Sequence, residues 1–202
     1  MALCRFRRPP GVVGEAMTPL SAALAGLATV VTRVGPDDWR RATVCEPWSV
    51  GDVLVHVIGV TDKFTRFADG TTDAPRGTST SVDVACLPGM LDDSIAKSRR
   101  AWATCDLTRR CRLPFGTFRA EEAAAINTMD VLVHGWDIAT AIGFDYRMPA
   151  RLLPGAIAIA HRLVTPDSVR LGHYGPPTFT HGLEGQELLL ALTGRCGTEP
   201  AG

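Results

Sequence analysis

The 202-residue chain is short of several things, and each shortage excludes something. It has two lysines, Lys63 and Lys97, against nineteen arginines, and its formal net charge is zero. A neutral chain without a basic stripe or a run of like charges has no strong electrostatic pull toward nucleic acid or an anionic membrane, so neither is expected as a partner. No stretch of about 20 uninterrupted apolar residues occurs, which excludes a helical membrane span from the expectation. The six cysteines, Cys4, Cys45, Cys86, Cys105, Cys111 and Cys196, include no C-x-x-C pair. Zinc-ribbon and thioredoxin-type motifs are thereby excluded, and free thiols in a reducing compartment, the cytoplasm, are expected. There is no internal repeat.

What is present is enough apolar material, 46% of residues, for one sizeable core. The basic start before an apolar run loosely imitates a secretion signal. Pro9, Pro10 and Glu15 interrupt it, and no A-x-A-type cleavage site follows. Residues 1–16 are expected to be a disordered tail, with Met17 a candidate initiator, and residues 17–202 a single domain.

Helical spacing dominates the rest. Leu20, Leu24, Leu27, Val31 and Val34 predict a helix from about Pro19 to Val34. Ser49 with Asp52 three residues on is an N-terminal cap signal, predicting a helix that runs to about Ala68 and stops at Gly70. A polar loop over 71–81 precedes a third helix, from Pro88 or Gly89 to about Cys105. A short extended piece over 109–118 leads into a long fourth helix, from Thr117 to Gly143, with Glu121 and Glu122 at its positive end. A kinked helix over 149–164 and a short closing helix over 184–195 complete the chain. The expected class is mainly α, a four-helix bundle with short additional helices and little or no strand.

The fourth helix carries an anomaly. In MDVLVHGWDIATAIG (129–143), ionisable residues sit inside a helix that otherwise reads as core. Residues three and four apart share a helical face, so Asn127 (the chain's one asparagine), Asp130, His134 and Asp137 form a polar stripe. Asp130 and His134, at i and i+4, can aim at one atom. That is half of a metal site; an open zinc site needs a third ligand from elsewhere. The best donor is His56, on the edge of the apolar arc Val50, Val53, Val57, Val60, Phe64 and Phe67 of the second helix. His161 lacks an acidic neighbour, and His173 and His181 lie in a Gly/Pro-rich loop. Read from spacing alone, packing is a commoner role for such histidines than ligation. Asp137 is expected to orient His134 rather than to ligate, and Asn127 to stand beside the ligands in the same supporting role. Trp48 and Trp136 are expected to be core plugs rather than substrate contacts.

The segments PWSVGDVLVHVIG, PFGTF, DVLVHGWDIATAIG and LLLALTGR, in that order, resemble the mycothiol-dependent maleylpyruvate isomerase family. The likeness is to its metal-binding domain, a branch of the DinB/YfiT-like four-helix proteins, and covers roughly residues 18–196. The resemblance implies a divalent metal, zinc, held by a histidine on the second helix and an acid-x-x-x-His pair on a later one; the matching positions are His56, Asp130 and His134. Members often carry Glu where this chain has Asp130, one methylene shorter. It also implies mycothiol as a thiol cofactor, and agrees with the arginine-for-lysine bias of a high-GC actinobacterial source. The family's two-domain isomerases have a C-terminal domain that helps form the active site. A chain of 202 residues is expected to lack it, so the metal site with an open position for a low-molecular-weight thiol carries over better than maleylpyruvate isomerisation. The function expected is a metal- and thiol-dependent transferase or isomerase acting on a small electrophile, as a monomer or homodimer. A metal-dependent hydrolase using metal-bound water, or a non-catalytic domain binding metal or a small ligand, stand as alternatives. No catalytic residue beyond the ligands is assigned.

Overall fold

The structure is a computed structural model that describes residues 18–71, 82–113 and 116–195. The expected tail over 1–16, Met17 and most of the expected loop over 71–81 lie outside the described residues. The chain is mainly helical, and its only described sheet is one hairpin.

Four long helices carry the core. α1 (Pro19–Val31) is capped by Thr18, whose hydroxyl accepts from the Ser21 N–H. It ends three residues before the expected Val34. α2 (Val50–Ala68) opens on a full capping box: the Asp52 N–H donates to Ser49 Oγ, and the Ser49 N–H donates to Asp52 Oδ2. Two orphan donors of the first turn are thereby satisfied. The helix stops before Gly70, at φ +106. α3 (Leu87–Ala103) has Pro88 in its first turn. The fourth helix begins later than its sequence suggests. Thr117, Phe118 and Arg119 belong to strand β2 (Gly116–Arg119), which pairs antiparallel with β1 (Arg110–Leu113). Phe118 is buried between exposed neighbours, the period-2 pattern of a strand. α4 therefore runs Ala120–Ala141, with Gly143 turning the chain at φ +73. The expected kinked helix over 149–164 resolves into a 3-10 turn over 150–152 followed by α5 (Leu153–Leu163). A short α6 (Pro166–Arg170), capped by Thr165, follows, and α7 (Gly185–Leu192) is the closing helix.

α1 packs on α4, α4 on α2, α2 on α3, and α3 on α1, which closes a ring. The directions within that ring place the site. Val84, just before α3, lies against Gly51 at the start of α2, Ser94 of α3 donates to Asp62 of α2 at 2.7 Å, and Arg109 after α3 donates to the Ala68 carbonyl at 3.0 Å. α2 and α3 therefore run the same way. The Ala120 N–H donates to the Arg109 carbonyl, so α4 begins where α2 and α3 end and runs back. This reversal brings the second half of α4 level with the first half of α2. α4 is buried on nearly every side, and Leu132, Ile138, Leu24, Leu27, Leu54 and Phe67 are fully buried. No helix among the described residues is long and apolar enough to cross a membrane.

Candidate metal centre

The capping box fixes the entry of α2, and His56 follows two turns in, on the side that faces α4. Its Nε2 lies 3.5 Å from Asp130 Oδ1. His134 Nε2 lies 3.6 Å from the same oxygen. Donor atoms of His56, Asp130 and His134 all fall within 4.8 Å of one another. The two imidazoles meet edge to face, with centroids 4.9 Å apart. The side chains of His56 and Asp130 keep 29% and 22% exposure, so solvent reaches the cluster from one side, whereas His134 is buried.

These spacings suit a metal better than a set of hydrogen bonds. At 3.5 and 3.6 Å the contacts are long for hydrogen bonds. Two ligand atoms each ~2.0–2.2 Å from a tetrahedral zinc stand about 3.3–3.6 Å apart. Asp130 Oδ2 is buried with no hydrogen-bond partner, an expensive state for a carboxylate oxygen. Two imidazoles and one carboxylate are a donor set that could hold a divalent metal ion.

Asp137 is wholly buried and sits behind His134. His134 Nδ1 and Asp137 Oδ2 are 2.9 Å apart. Arg195, just past α7, grips the same carboxylate with a fork: Nε donates to Oδ1 at 3.1 Å and Nη2 to Oδ2 at 2.7 Å. Burial alone would push the Asp137 carboxyl up; bonds from His134 and Arg195 outweigh it and hold the group below its ordinary value. An ionised Asp137 can only accept, so His134 donates from Nδ1 and turns its Nε2 toward Asp130 and His56. Arg195 also donates from Nη1 to the Thr193 carbonyl at 2.6 Å and from Nη2 to Cys45 Sγ at 3.5 Å.

Trp48 and Trp136 both pack against the core, as expected of core plugs, but Trp48 also lies beside the histidines. It is half-buried, and its ring packs on both imidazoles, 4.8 Å from His56 and 6.3 Å from His134. Cys45 and Trp48 flank the cis Glu46–Pro47 bond, in a turn closed by the Trp48 N–H donating to the Cys45 carbonyl. Asn127 is fully buried one turn before Asp130, and neither amide atom has a partner. Tyr174, from the loop before α7, is also close enough to feel Asp130; burial first, then that negative charge, push its hydroxyl well above the ordinary value. His161 is exposed, and among the described residues neither it, His173 nor His181 joins a donor cluster.

Arg195, Cys45 and Trp48 are the participants that sequence spacing did not single out. Arg195 stands 58 residues from Asp137 and Cys45 150 residues from Arg195, so only tertiary docking unites them. A signal for Arg195 was available in the LLLALTGR segment, where a cation follows a glycine at the end of an apolar helix.

A mainly helical protein with a His–Asp–His donor cluster between two core helices is the class these observations define. Residues 20–139 match the family model described as mycothiol maleylpyruvate isomerase N-terminal domain, and the chain belongs to that family. Two uncharacterized proteins of Mycobacterium tuberculosis, MT0763 of strain CDC 1551 and Rv0738 of strain H37Rv, are each 26% identical over 153 residues, 74% of this chain and 81% of theirs. Among solved structures, a mycothiol-dependent maleylpyruvate isomerase superposes with a TM-score of 0.55 at 15% identity, and a point mutant of it with 0.56 at 14%. Each covers 76% of this chain and 71% of the other. At that identity the likeness establishes the shared fold.

Proposed function

We propose that the chain is a divalent-metal protein, with zinc held by His56 Nε2, Asp130 Oδ1 and His134 Nε2, that uses a low-molecular-weight thiol, mycothiol, to transform a small electrophile as a transferase or isomerase. The observation that carries this reading is the convergence of three donors from α2 and α4 within 4.8 Å of one another, both imidazoles at zinc-ligand spacing from Asp130 Oδ1. Membership of the mycothiol maleylpyruvate isomerase family supports the choice of thiol and reaction class. The reading treats residues 17–202 as one domain and the cytoplasm as its compartment.

A bound divalent cation supplies stabilisation of thiolate over thiol, which makes sulfur nucleophilic near neutral pH. The chain's own residues prepare the ground. Asp137 fixes the His134 ring and its tautomer. Trp48 walls off one side of the two imidazoles and excludes water there. Asp130 Oδ2 is buried and without a partner, so no hydrogen bond on that oxygen competes with ligation through Oδ1. Asn127, on the same face, adds an unused donor and acceptor.

Elemental analysis of purified wild type and His134→Ala, together with electrophile consumption with and without mycothiol, tests the reading. One zinc per wild-type chain, its loss in the variant and turnover only with thiol are expected. Equal metal in both proteins sinks the site, and equal turnover without thiol sinks the cofactor.

A further inference from the structure

Two donor clusters share His134. The first is the His56–Asp130–His134 set described above. The second is Cys45, His134 and Asp137, whose ligating atoms also lie within 4.8 Å of one another. A thiol, an imidazole and a carboxylate are as good a zinc donor set as the first, and softer. The two clusters differ in one respect. The second already contains a cation from the chain. Arg195 Nη2 bridges Asp137 Oδ2 and Cys45 Sγ, its Nε takes Asp137 Oδ1, and its Nη1 is tied to the Thr193 carbonyl. Its side chain is 11% exposed, so the charge is held largely out of water.

We propose that Arg195 is the resident cation of the Cys45–His134–Asp137 cluster, withholding Cys45 and Asp137 from metal and, through Asp137, holding His134 with Nε2 toward His56 and Asp130, so that the chain takes one metal ion rather than two. This rests on the metal reading of the first cluster. A divalent ion could enter the second cluster only by displacing a guanidinium that makes three bonds to its members. Arginine suits the task because its planar fork saturates both Asp137 oxygens, which a lysine point charge cannot do. The backbone delivers it: Gly194 turns the chain after α7 at φ +81 and lies directly against Gly175, where a Cβ would meet backbone at 2.9 Å. Arg195 is a positioning residue, since it touches neither the first cluster's donors nor the space between them.

Cobalt(II) titration followed by absorption, with metal stoichiometry measured in parallel, tests the proposal on wild type, Arg195→Met, Arg195→Lys, Cys45→Ser and the double variant Arg195→Met/Cys45→Ser. Wild type is expected to take one equivalent without a thiolate-to-cobalt charge-transfer band. Arg195→Met should bind the first ion roughly 10- to 100-fold more weakly, the usual cost of losing a ligand's support. It should also take a second equivalent and show the thiolate band, which disappears in the double variant. Arg195→Lys keeps a cation without the fork; it should show no band but still bind more weakly than wild type. One equivalent at wild-type affinity without a band in Arg195→Met overturns the proposal, as does a band in wild type that Cys45→Ser removes. Should Arg195→Met fail to fold, wild-type affinity in Arg195→Lys overturns it instead. Wild type that takes up no cobalt refutes the metal reading itself, which separates the two failures.

Discussion

Asn127 shows how much a single side chain in this core gives up. It is 0% exposed, and its amide oxygen and nitrogen both lack partners. Burying such a group unpaired costs about 1–3 kcal/mol on mutational scales. Leucine has the same number of side-chain heavy atoms on the same branched skeleton, is bulkier, and carries no polar atoms. Asn127→Val, closer in volume, should therefore raise the stability of the metal-free protein by about 1–2 kcal/mol in urea denaturation, with Asn127→Leu gaining less because it overpacks the site; destabilisation by both would mean that the amide is satisfied in solution. Stability sacrificed beside a donor cluster is the expected mark of a functional position. The same residue was legible in the sequence, along with His56, Asp130, His134 and Asp137, because helical periodicity places four of the five on one face. Periodicity alone could not choose between packing and ligation for the histidines, and the family resemblance made that choice. Arg195 was not legible in this way. Its importance lies in a fork reaching across to α4, and no local pattern encodes that reach.

At the scale of the element, the start of α2 positions His56. Replacing Ser49 by alanine removes the acceptor for the Asp52 N–H and should cost about 0.5–2 kcal/mol in thermal or urea unfolding. The cap is also pH-dependent. Bonds from the Ser49 hydroxyl and backbone N–H hold the Asp52 carboxyl below its ordinary 3.8. A carboxyl depressed in the folded state stabilises fully above its unfolded value and loses that contribution as pH falls through the folded one. The stability gap between wild type and Asp52→Asn should thus be constant from pH 7 to about pH 5 and close below about pH 4; a gap unchanged at pH 3 would contradict the assignment. The C-terminal end of α7 is equally constrained. Gly194→Ala puts a methyl into the Gly175 backbone at a positive φ. A loss of at least about 1 kcal/mol is expected, together with weaker zinc retention because Arg195 moves. The helices were legible as periodic apolar runs with caps. The start of α4 was not, because Thr117–Arg119 can continue a helix as easily as a strand until Phe118 is seen to pack alone among exposed neighbours. The five-residue α6 was too short for periodicity to register.

Over the whole molecule, the parallel run of α2 and α3 decides where function can sit. It forces α4 to return antiparallel to both, so that residue 56 meets residues 130 and 134 across a large sequence separation. Arg195 then ties α4 and the turn before α2 to the segment after α7. Through that tie the closing helix would bear on the proposed ion without touching it. If α7 peels away, its guanidinium leaves with it and the imidazole of His134 loses its bearing. By mass action, whatever loads the intact arrangement penalises that peeling. Amide hydrogens of residues 188–192 should accordingly exchange with deuterium more slowly in zinc-saturated protein than in chelator-treated protein, and Arg195→Met should erase the difference.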